Sequence, residues 1–240
     1  MKILFIGNSF STDTTRYLQD VSAGELFVRN LYIGGCSLEM HAENIREARA
    51  AYEYQIDAEM TKTVSINEAL LFEEWDVISV QQVSWCSGIF ETYEPYLGYV
   101  IDFVKSKCPK AKIVFNRTWA YEWGSSHPCF PKYECDTNLM FERILSATRT
   151  AAEKYSLDII PVGNAVSMAR LLPEFNARGG GVPITRDGFH LSLDCGRYLA
   201  ALTAYAFLTK KSARGVKYIP AGIPVPVAEK LRIIADAAAL

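Results

Sequence analysis

Residues 2–11, KILFIGNSFS, run from an apolar stretch directly into a turn of small and polar residues. The apolar part has the length and composition of a buried β-strand. The part that follows, GNSFS, admits two interpretations. It can be an ordinary strand-to-helix turn in which Ser11 or Thr12 caps the next helix. It can also be a turn that presents a nucleophilic serine, and the rest of the chain has to decide between the two.

Strand-like and helix-like segments alternate along the rest of the chain. The strands are predicted at residues 2–6, 25–33, 76–82, 112–119 and 157–163. The helices are predicted at residues 12–23, 93–108, 138–155, 196–211 and 226–240. Continuous apolar strands that alternate with helices indicate a mainly parallel sheet covered on both faces. We therefore expect an α/β fold, a three-layer α/β/α sandwich around five strands, in one domain spanning 1–240.

Composition narrows the function classes. Half of the 240 residues are hydrophobic, 22% are charged and the formal net charge is −2 at pH 7, which is ordinary for a globular protein. No basic stripe or tail favours nucleic acid, and no apolar run is long enough for a membrane span. The first residues do not resemble a secretory signal, so we expect a cytoplasmic protein, or a secreted one if a signal has been removed.

The cysteines give no sign of a disulfide framework or a metal site. Six of them are scattered without a CxxC pair, which is typical of reduced thiols. His127, Cys129 and Cys135 lie near one another in sequence, but their spacing fits no common zinc pattern. We predict neither a metal nor a cofactor.

Small, polar and aromatic residues follow four of the predicted strands. The segments are GNSFS (7–11), GGCS (34–37), QQVSWCSG (81–88) and TWAYEW (118–123). Ligands of open parallel sheets bind beyond the carboxyl ends of the strands. We therefore expect these four segments to converge on one binding face.

Of the three histidines, His190 has the most informative neighbours. It follows Asp187 in the segment TRDGFHLS (185–192), and an Asp-x-x-His turn lets the carboxylate reach Nδ1 and leaves Nε2 free as a base. The plain alternative is a turn at Asp187 and Gly188 beside a packed histidine. His41 and His127 are expected to be a solvated or capping residue and a loop residue.

Taken together, FIGNSFS (5–11), IGGCSL (33–38) and DGFHLS (187–192) resemble the conserved blocks of the SGNH, or GDSL-type, hydrolase superfamily. The resemblance implies a flavodoxin-like sheet topology. It also implies that Ser9 is the nucleophile, with Asn8 in place of the usual Asp, and that Asp187 and His190 complete a catalytic triad. The amides of Ser9 and Gly35 would form an oxyanion hole, with Gly34 as the neighbouring alternative to Gly35.

One block of that superfamily is missing. The usual Gly-x-Asn, whose side chain donates to the oxyanion, is replaced by QQVSWCSG. Gln81 is the favoured substitute, and Gln82 and Ser84 are the other candidates. The plain alternative is that both glutamines only tie loops together.

Aromatic residues cluster at the same end of the predicted sheet. Trp85, Trp119 and Tyr121 are predicted to line the substrate pocket, where they would suit sugar rings or flat acyl groups. They can equally fill the core.

The sequence leads to three functional hypotheses. The first is an esterase that hydrolyses a small acyl ester, for which an acetylated carbohydrate is one candidate, through an acyl-enzyme on Ser9. The second is an acyltransferase that uses the same site, and the third is a catalytically inactive binding protein on the same scaffold. In each case the expected partner is a small molecule or carbohydrate, with no nucleic acid and no membrane.

Overall fold

The computed structural model describes residues 1–240 and contains one seven-stranded sheet with nine α-helices. The strands are β1 (Lys2–Gly7), β2 (Phe27–Tyr32), β3 (Tyr52–Ile56), β4 (Glu59–Val64), β5 (Val77–Val80), β6 (Lys112–Asn116) and β7 (Asp158–Ile160). The helices are α1 (Ser9–Thr15), α2 (Leu18–Val21), α3 (Leu38–Arg46), α4 (Ile66–Leu71), α5 (Tyr96–Lys107), α6 (Thr137–Tyr155), α7 (Val162–Ala169), α8 (Cys195–Thr209) and α9 (Val225–Ala239).

The strand order is β4-β3-β2-β1-β5-β6-β7. All five predicted strands are present and pair in parallel, so the predicted α/β class is confirmed. Their order around β1 is that of the flavodoxin-like doubly wound sheet. The predicted count of five strands is wrong, because β3 and β4 form an antiparallel hairpin that extends the β2 edge.

Strand β1 lies inside the sheet and supplies side chains to both of its faces. Ile3 and Phe5 point into one buried cluster, which also holds apolar residues of α1, α7, α8 and α9. Leu4 and Ile6 point into a second cluster, with apolar residues of α3, α4 and α5. Because both faces of β1 are covered, residues 3–6 are all apolar. None of the helices combines the length and the apolar character needed to cross a bilayer.

Candidate active site

The turn after β1 is fixed by Asn8. Its Oδ1 accepts a hydrogen bond from the Phe10 amide at 3.1 Å and caps α1, which begins at Ser9. The expected cap at Ser11 or Thr12 is therefore wrong, since the helix starts earlier. Gly7 has no room for a side chain, because an added Cβ would lie 2.6 Å from Ser11 Oγ. The tight turn leaves Ser9 at the carboxyl edge of the sheet.

The structure brings Ser9, Asp187 and His190 together from opposite ends of the chain. His190 Nε2 lies 2.8 Å from Ser9 Oγ, and His190 Nδ1 lies 2.6 Å from Asp187 Oδ2. The second oxygen of Asp187 accepts the amides of Phe189 and His190 at 3.1 and 2.7 Å. An ionised carboxylate on Nδ1 keeps the Nδ1 proton in place, so Nε2 is free to accept the Ser9 proton.

Opposing effects act on the pKa of Asp187. Burial favours the neutral acid, but the hydrogen bonds from the His190 ring and from the two amides outweigh it and hold the pKa below its usual value. The carboxylate therefore stays ionised across the neutral range and can stabilise a positively charged His190 ring.

Several groups hold the segment 187–191 against α1 and the sheet. The buried Asp13, one helical turn after Ser9, accepts the Leu191 amide at 2.9 Å. Trp119 donates its indole N–H to the Phe189 carbonyl at 2.7 Å, and its ring stacks on Phe10 with centroids 4.1 Å apart. These contacts fix the position of His190 relative to Ser9.

A cleft of about 220 Å³ opens beside Ser9. Its floor includes Gly34 and Gly35, and the amides of Ser9 and Gly35 have no acceptor within the protein. Gly35 has φ +63°, and an added Cβ would lie 2.8 Å from the Trp85 ring, so only glycine fits here. Two residues of the cleft lining, Ser9 and Gly35, therefore carry backbone N–H groups that no protein acceptor uses.

Comparison with known proteins gives a family assignment. The family model DUF4886, described as a domain of unknown function, matches residues 2–239. The chain belongs to the DUF4886 family. A DUF4886 family protein from Bacteroides uniformis ATCC 8492 is 36% identical, with a TM-score of 0.91 over 99% of this chain and 94% of that chain. No curated protein sequence matches significantly.

More distant solved structures relate this DUF4886 chain to the SGNH fold. A candidate SGNH hydrolase from Slackia heliotrinireducens is 23% identical, with a TM-score of 0.55 over 84% of this chain and 95% of that chain. The acetyl xylan esterase AlAXEase is 14% identical, with a TM-score of 0.52 over 83% of this chain and 96% of that chain. The resemblance to the SGNH superfamily is thus confirmed at the level of the fold.

The two glutamines do not occupy the place predicted for an oxyanion donor. Gln81 lies outside the cleft lining, where its amide donates to Asn8 Oδ1 at 3.0 Å and its carbonyl accepts from Asn116. Gln82 donates to the Thr92 carbonyl and accepts the Leu38 and Val83 amides. Both therefore tie loops together, whereas the third candidate, Ser84, does line the cleft.

The three predicted pocket aromatics have different places. Trp85 lines the cleft, as expected, but Trp119 and Tyr121 are fully buried in the core and do not line it. Both belong to the TWAYEW segment, and their side chains turn inward, where Trp119 Nε1 and the Tyr121 hydroxyl find partners, whereas Trp123 of the same segment is exposed.

Sequence reasoning missed other parts of the site. Phe10, Tyr32, Val83, His127 and Phe189 line the cleft, and Asp13 supports the His190 segment. The only available signal for Asp13 was its spacing of four residues from Ser9, which places both side chains on one helix face. Nothing in the sequence distinguished His127 from an ordinary loop histidine.

Proposed function

We propose that this protein is a serine esterase that hydrolyses a small acyl ester. The observation that carries the proposal is the 2.8 Å contact between Ser9 Oγ and His190 Nε2, continued to Asp187 at 2.6 Å. The same unit beside two free backbone amides can activate a hydroxyl and stabilise the anion that its attack creates.

Acylation begins when Ser9 Oγ attacks the ester carbonyl carbon and His190 Nε2 takes the hydroxyl proton. The carbonyl oxygen becomes an oxyanion, which accepts from the amides of Ser9 and Gly35. The tetrahedral intermediate collapses, the bond to the alcohol oxygen breaks, and His190 returns its proton to that oxygen. Asp187 stays ionised throughout and stabilises the charged imidazole.

Deacylation repeats these steps with water. His190 removes a proton from water as the oxygen attacks the acyl carbon, and the second tetrahedral intermediate expels Ser9 Oγ. The proton on His190 returns to Ser9, and a carboxylic acid leaves. The cleft of about 220 Å³ is smaller than the pockets that hold drug-sized ligands, which favours a short acyl group such as acetyl.

Ser84 is the third donor to the oxyanion in this proposal. Its hydroxyl lies 2.9 Å from the Tyr121 hydroxyl, which in turn lies 3.3 Å from His127 Nε2. His127 Nδ1 accepts the Cys129 amide at 3.1 Å, so a neutral His127 ring carries its proton on Nε2. The pKa of His127 is lowered mainly by burial and to a smaller extent by the nearby His190, and this favours the neutral ring.

The direction of this chain of hydrogen bonds follows from the Cys129 amide. His127 Nε2–H donates to the Tyr121 oxygen, and the Tyr121 hydroxyl then donates to Ser84 Oγ. Ser84 keeps its own proton for an acceptor in the cleft. In this proposal the Ser84 hydroxyl takes the place of the Asn amide of the Gly-x-Asn block, which this chain lacks.

The first prediction concerns the nucleophile and base. Ser9→Ala and His190→Ala should each lower kcat for p-nitrophenyl acetate by roughly 10⁴-fold or more, because the attacking group or its base is lost. Initial rates of the purified variants measure this. Full activity in Ser9→Ala would refute the proposed function.

A fluorophosphonate probe provides a control within the same motif. The probe should label Ser9 covalently, and Ser9→Ala should not be labelled. Ser11→Ala should still be labelled, because the Ser11 hydroxyl is fully buried and unreactive. An unlabelled wild-type protein would support the inactive binding scaffold instead.

The second prediction concerns Ser84. Loss of one oxyanion donor typically costs about 10²- to 10³-fold in kcat, so Ser84→Ala should lower kcat by an amount of that order and change KM little. Tyr121→Phe should lower kcat by a smaller factor. The Ser84 hydroxyl is still present, but it loses the hydrogen bond from Tyr121 that orients it and can turn away from the cleft. Ser106→Ala, on the outer face of α5, is the matched control. If Ser84→Ala keeps the wild-type kcat, Ser84 is not a donor.

A further inference from the structure

A second cavity, here called the polar lobe, also reaches Ser9. Its volume is about 320 Å³, and it shares Ser9 and Tyr32 with the cleft. The cleft has apolar walls from Phe10, Val83 and Trp85, whereas Tyr32 is the one hydrophobic residue of the polar lobe. An ester whose carbonyl carbon lies at Ser9 extends in two directions, as its acyl group and as its alcohol portion. The cleft offers one of them apolar walls, and the polar lobe offers the other polar side chains.

The wall of the polar lobe on the sheet side is ordered by hydrogen bonds. The buried Asn30 donates to Thr12 Oγ1 at 3.1 Å and to Gln55 Oε1 at 2.8 Å. Thr12 also donates to Gln55 Oε1 at 2.8 Å, and Gln55 Nε2 donates to Glu53 Oε2 at 3.0 Å. Glu53 and Gln55 are two residues apart on β3 and therefore face the same side. The Glu53 carboxylate is held in place with its other oxygen free to accept.

Two arginines form the opposite wall. Arg186 Nη1 donates to the Asp13 carboxylate and to the Leu191 carbonyl, and Arg197 Nε donates to the Asp13 carboxylate. Their remaining guanidinium N–H groups have no acceptor in the protein, and the Arg186 side chain is 31% exposed. The polar lobe thus presents unused donors on one side and an unused acceptor on the other.

The charges in the polar lobe balance. The carboxylates of Asp13 and Glu53 offset the guanidinium groups of Arg186 and Arg197. A surface without net charge gives little advantage to an anion or a cation. Hydroxyl groups both donate and accept, so several of them on one ring can satisfy both walls at once.

We propose that the polar lobe binds the alcohol portion of the ester, and that this portion is an uncharged, polyhydroxylated ring of the sugar type. The inference rests on the proposed function, because it assumes that the ester carbonyl is attacked by Ser9. Glu53 is the residue that accepts from the ring hydroxyls, and Arg186 and Arg197 donate to them.

Kinetics with two acetyl esters test the proposal. The substrates are a monoacetylated methyl xyloside, which is a neutral sugar, and p-nitrophenyl acetate, which has no sugar hydroxyls. In Glu53→Ala, the kcat/KM for the xyloside divided by the kcat/KM for p-nitrophenyl acetate should fall about tenfold or more. The reason is that the sugar loses a hydrogen bond to a charged acceptor, whereas p-nitrophenyl acetate has none to lose. Glu59→Ala, at the exposed turn of the same hairpin, is the matched control.

Binding to Ser9→Ala separates this inference from the proposed function, since no catalysis is needed. Saturation-transfer NMR should detect the methyl xyloside acetate, and Glu53→Ala in that background should weaken its binding about tenfold. The corresponding methyl glucuronoside acetate, an anion, should bind more weakly than the neutral sugar. Equal binding with and without Glu53, or tighter binding of the glucuronoside, would overturn the proposal even if the enzyme hydrolyses p-nitrophenyl acetate.

Discussion

At the scale of the residue, Asn8 uses both polar atoms of its side chain to fix the turn that carries Ser9. Oδ1 accepts from the Phe10 amide and from Gln81, and Nδ2 donates to the Cys36 carbonyl at 3.0 Å. A carboxylate at this position would lose the donor to Cys36. The amide therefore joins the β1 turn to the segment that contains Gly35, so one side chain holds the two segments whose amides we propose as the oxyanion hole.

His41 is a buried histidine whose ring contacts Cys36, in the segment that contains Gly35. Its Nδ1 lies 2.8 Å from the Tyr52 hydroxyl and 3.4 Å from Cys36 Sγ, and Nε2 has no partner. Complete burial lowers the pKa of His41 to about 3. The sequence interpretation of His41 as a solvated or capping residue is wrong, because its ring lies inside the core.

This pKa predicts a pH dependence of folding. The unfolded chain protonates His41 near pH 6.5, whereas the folded protein resists protonation down to about pH 3. The unfolded state binds more protons between these values, so the free energy of unfolding should fall as the pH decreases through this range. The contribution is up to about 1.4 kcal/mol per pH unit.

Urea unfolding between pH 7 and pH 4.5 measures this contribution. His41→Gln cannot titrate, so its free energy of unfolding should depend less steeply on pH than that of the wild type. Parallel curves for the two proteins would contradict the assignment.

At the scale of the element, the hairpin of β3 and β4 is the main feature that the sequence did not predict. The turn at Asp57 and Ala58 has positive φ at both positions, 50° and 67°, where Asn-Gly or Asp-Gly is the usual signal. Strand β4 is exposed at every position except Val64, so it has no apolar alternation to detect. Strand β3, which carries Glu53 and Gln55, does alternate in its sequence YEYQI, but neither the turn nor β4 marks it as half of a hairpin.

The observed bounds of elements with a long buried face lie close to the predicted ones. Strand β1 ends one residue after the prediction, and β5 lies inside the predicted range of 76–82. The long helix α6 begins one residue before the predicted start at 138 and ends at the predicted residue, Tyr155. Apolar periodicity identifies such elements because both faces of the sheet are covered, but it does not say which polar side chains turn toward the edge.

At the scale of the whole molecule, Asp13 connects the start of the chain to its last third. Its carboxylate accepts from Arg186, Arg197 and the Leu191 amide, and the side chain is fully buried. These bonds pull the His190 segment and the start of α8 onto α1. The Ser9 to His190 distance thus depends on a carboxylate other than that of Asp187.

We expect Asp13→Asn to destabilise the fold by roughly 3 kcal/mol, because two guanidinium groups lose their common counterion. The rate of fluorophosphonate labelling at Ser9 should also fall, since the His190 segment loses an anchor. Urea unfolding and labelling kinetics measure the two effects. Asp20→Asn, at an exposed pair with Arg16, should change neither, and unchanged labelling in folded Asp13→Asn would argue against the positioning role.

The sequence by itself determined the alternation of strands and helices, the turn at Ser9 and the Asp187 and His190 motif, because these depend on local periodicity and short spacings. The tertiary structure alone decided which polar groups meet: it turned Gln81 and Tyr121 inward, and it brought Ser84, His127 and the β3 hairpin to Ser9. The physical reason is that a hydrogen bond between distant segments is specified by three-dimensional geometry, which no short stretch of residues encodes.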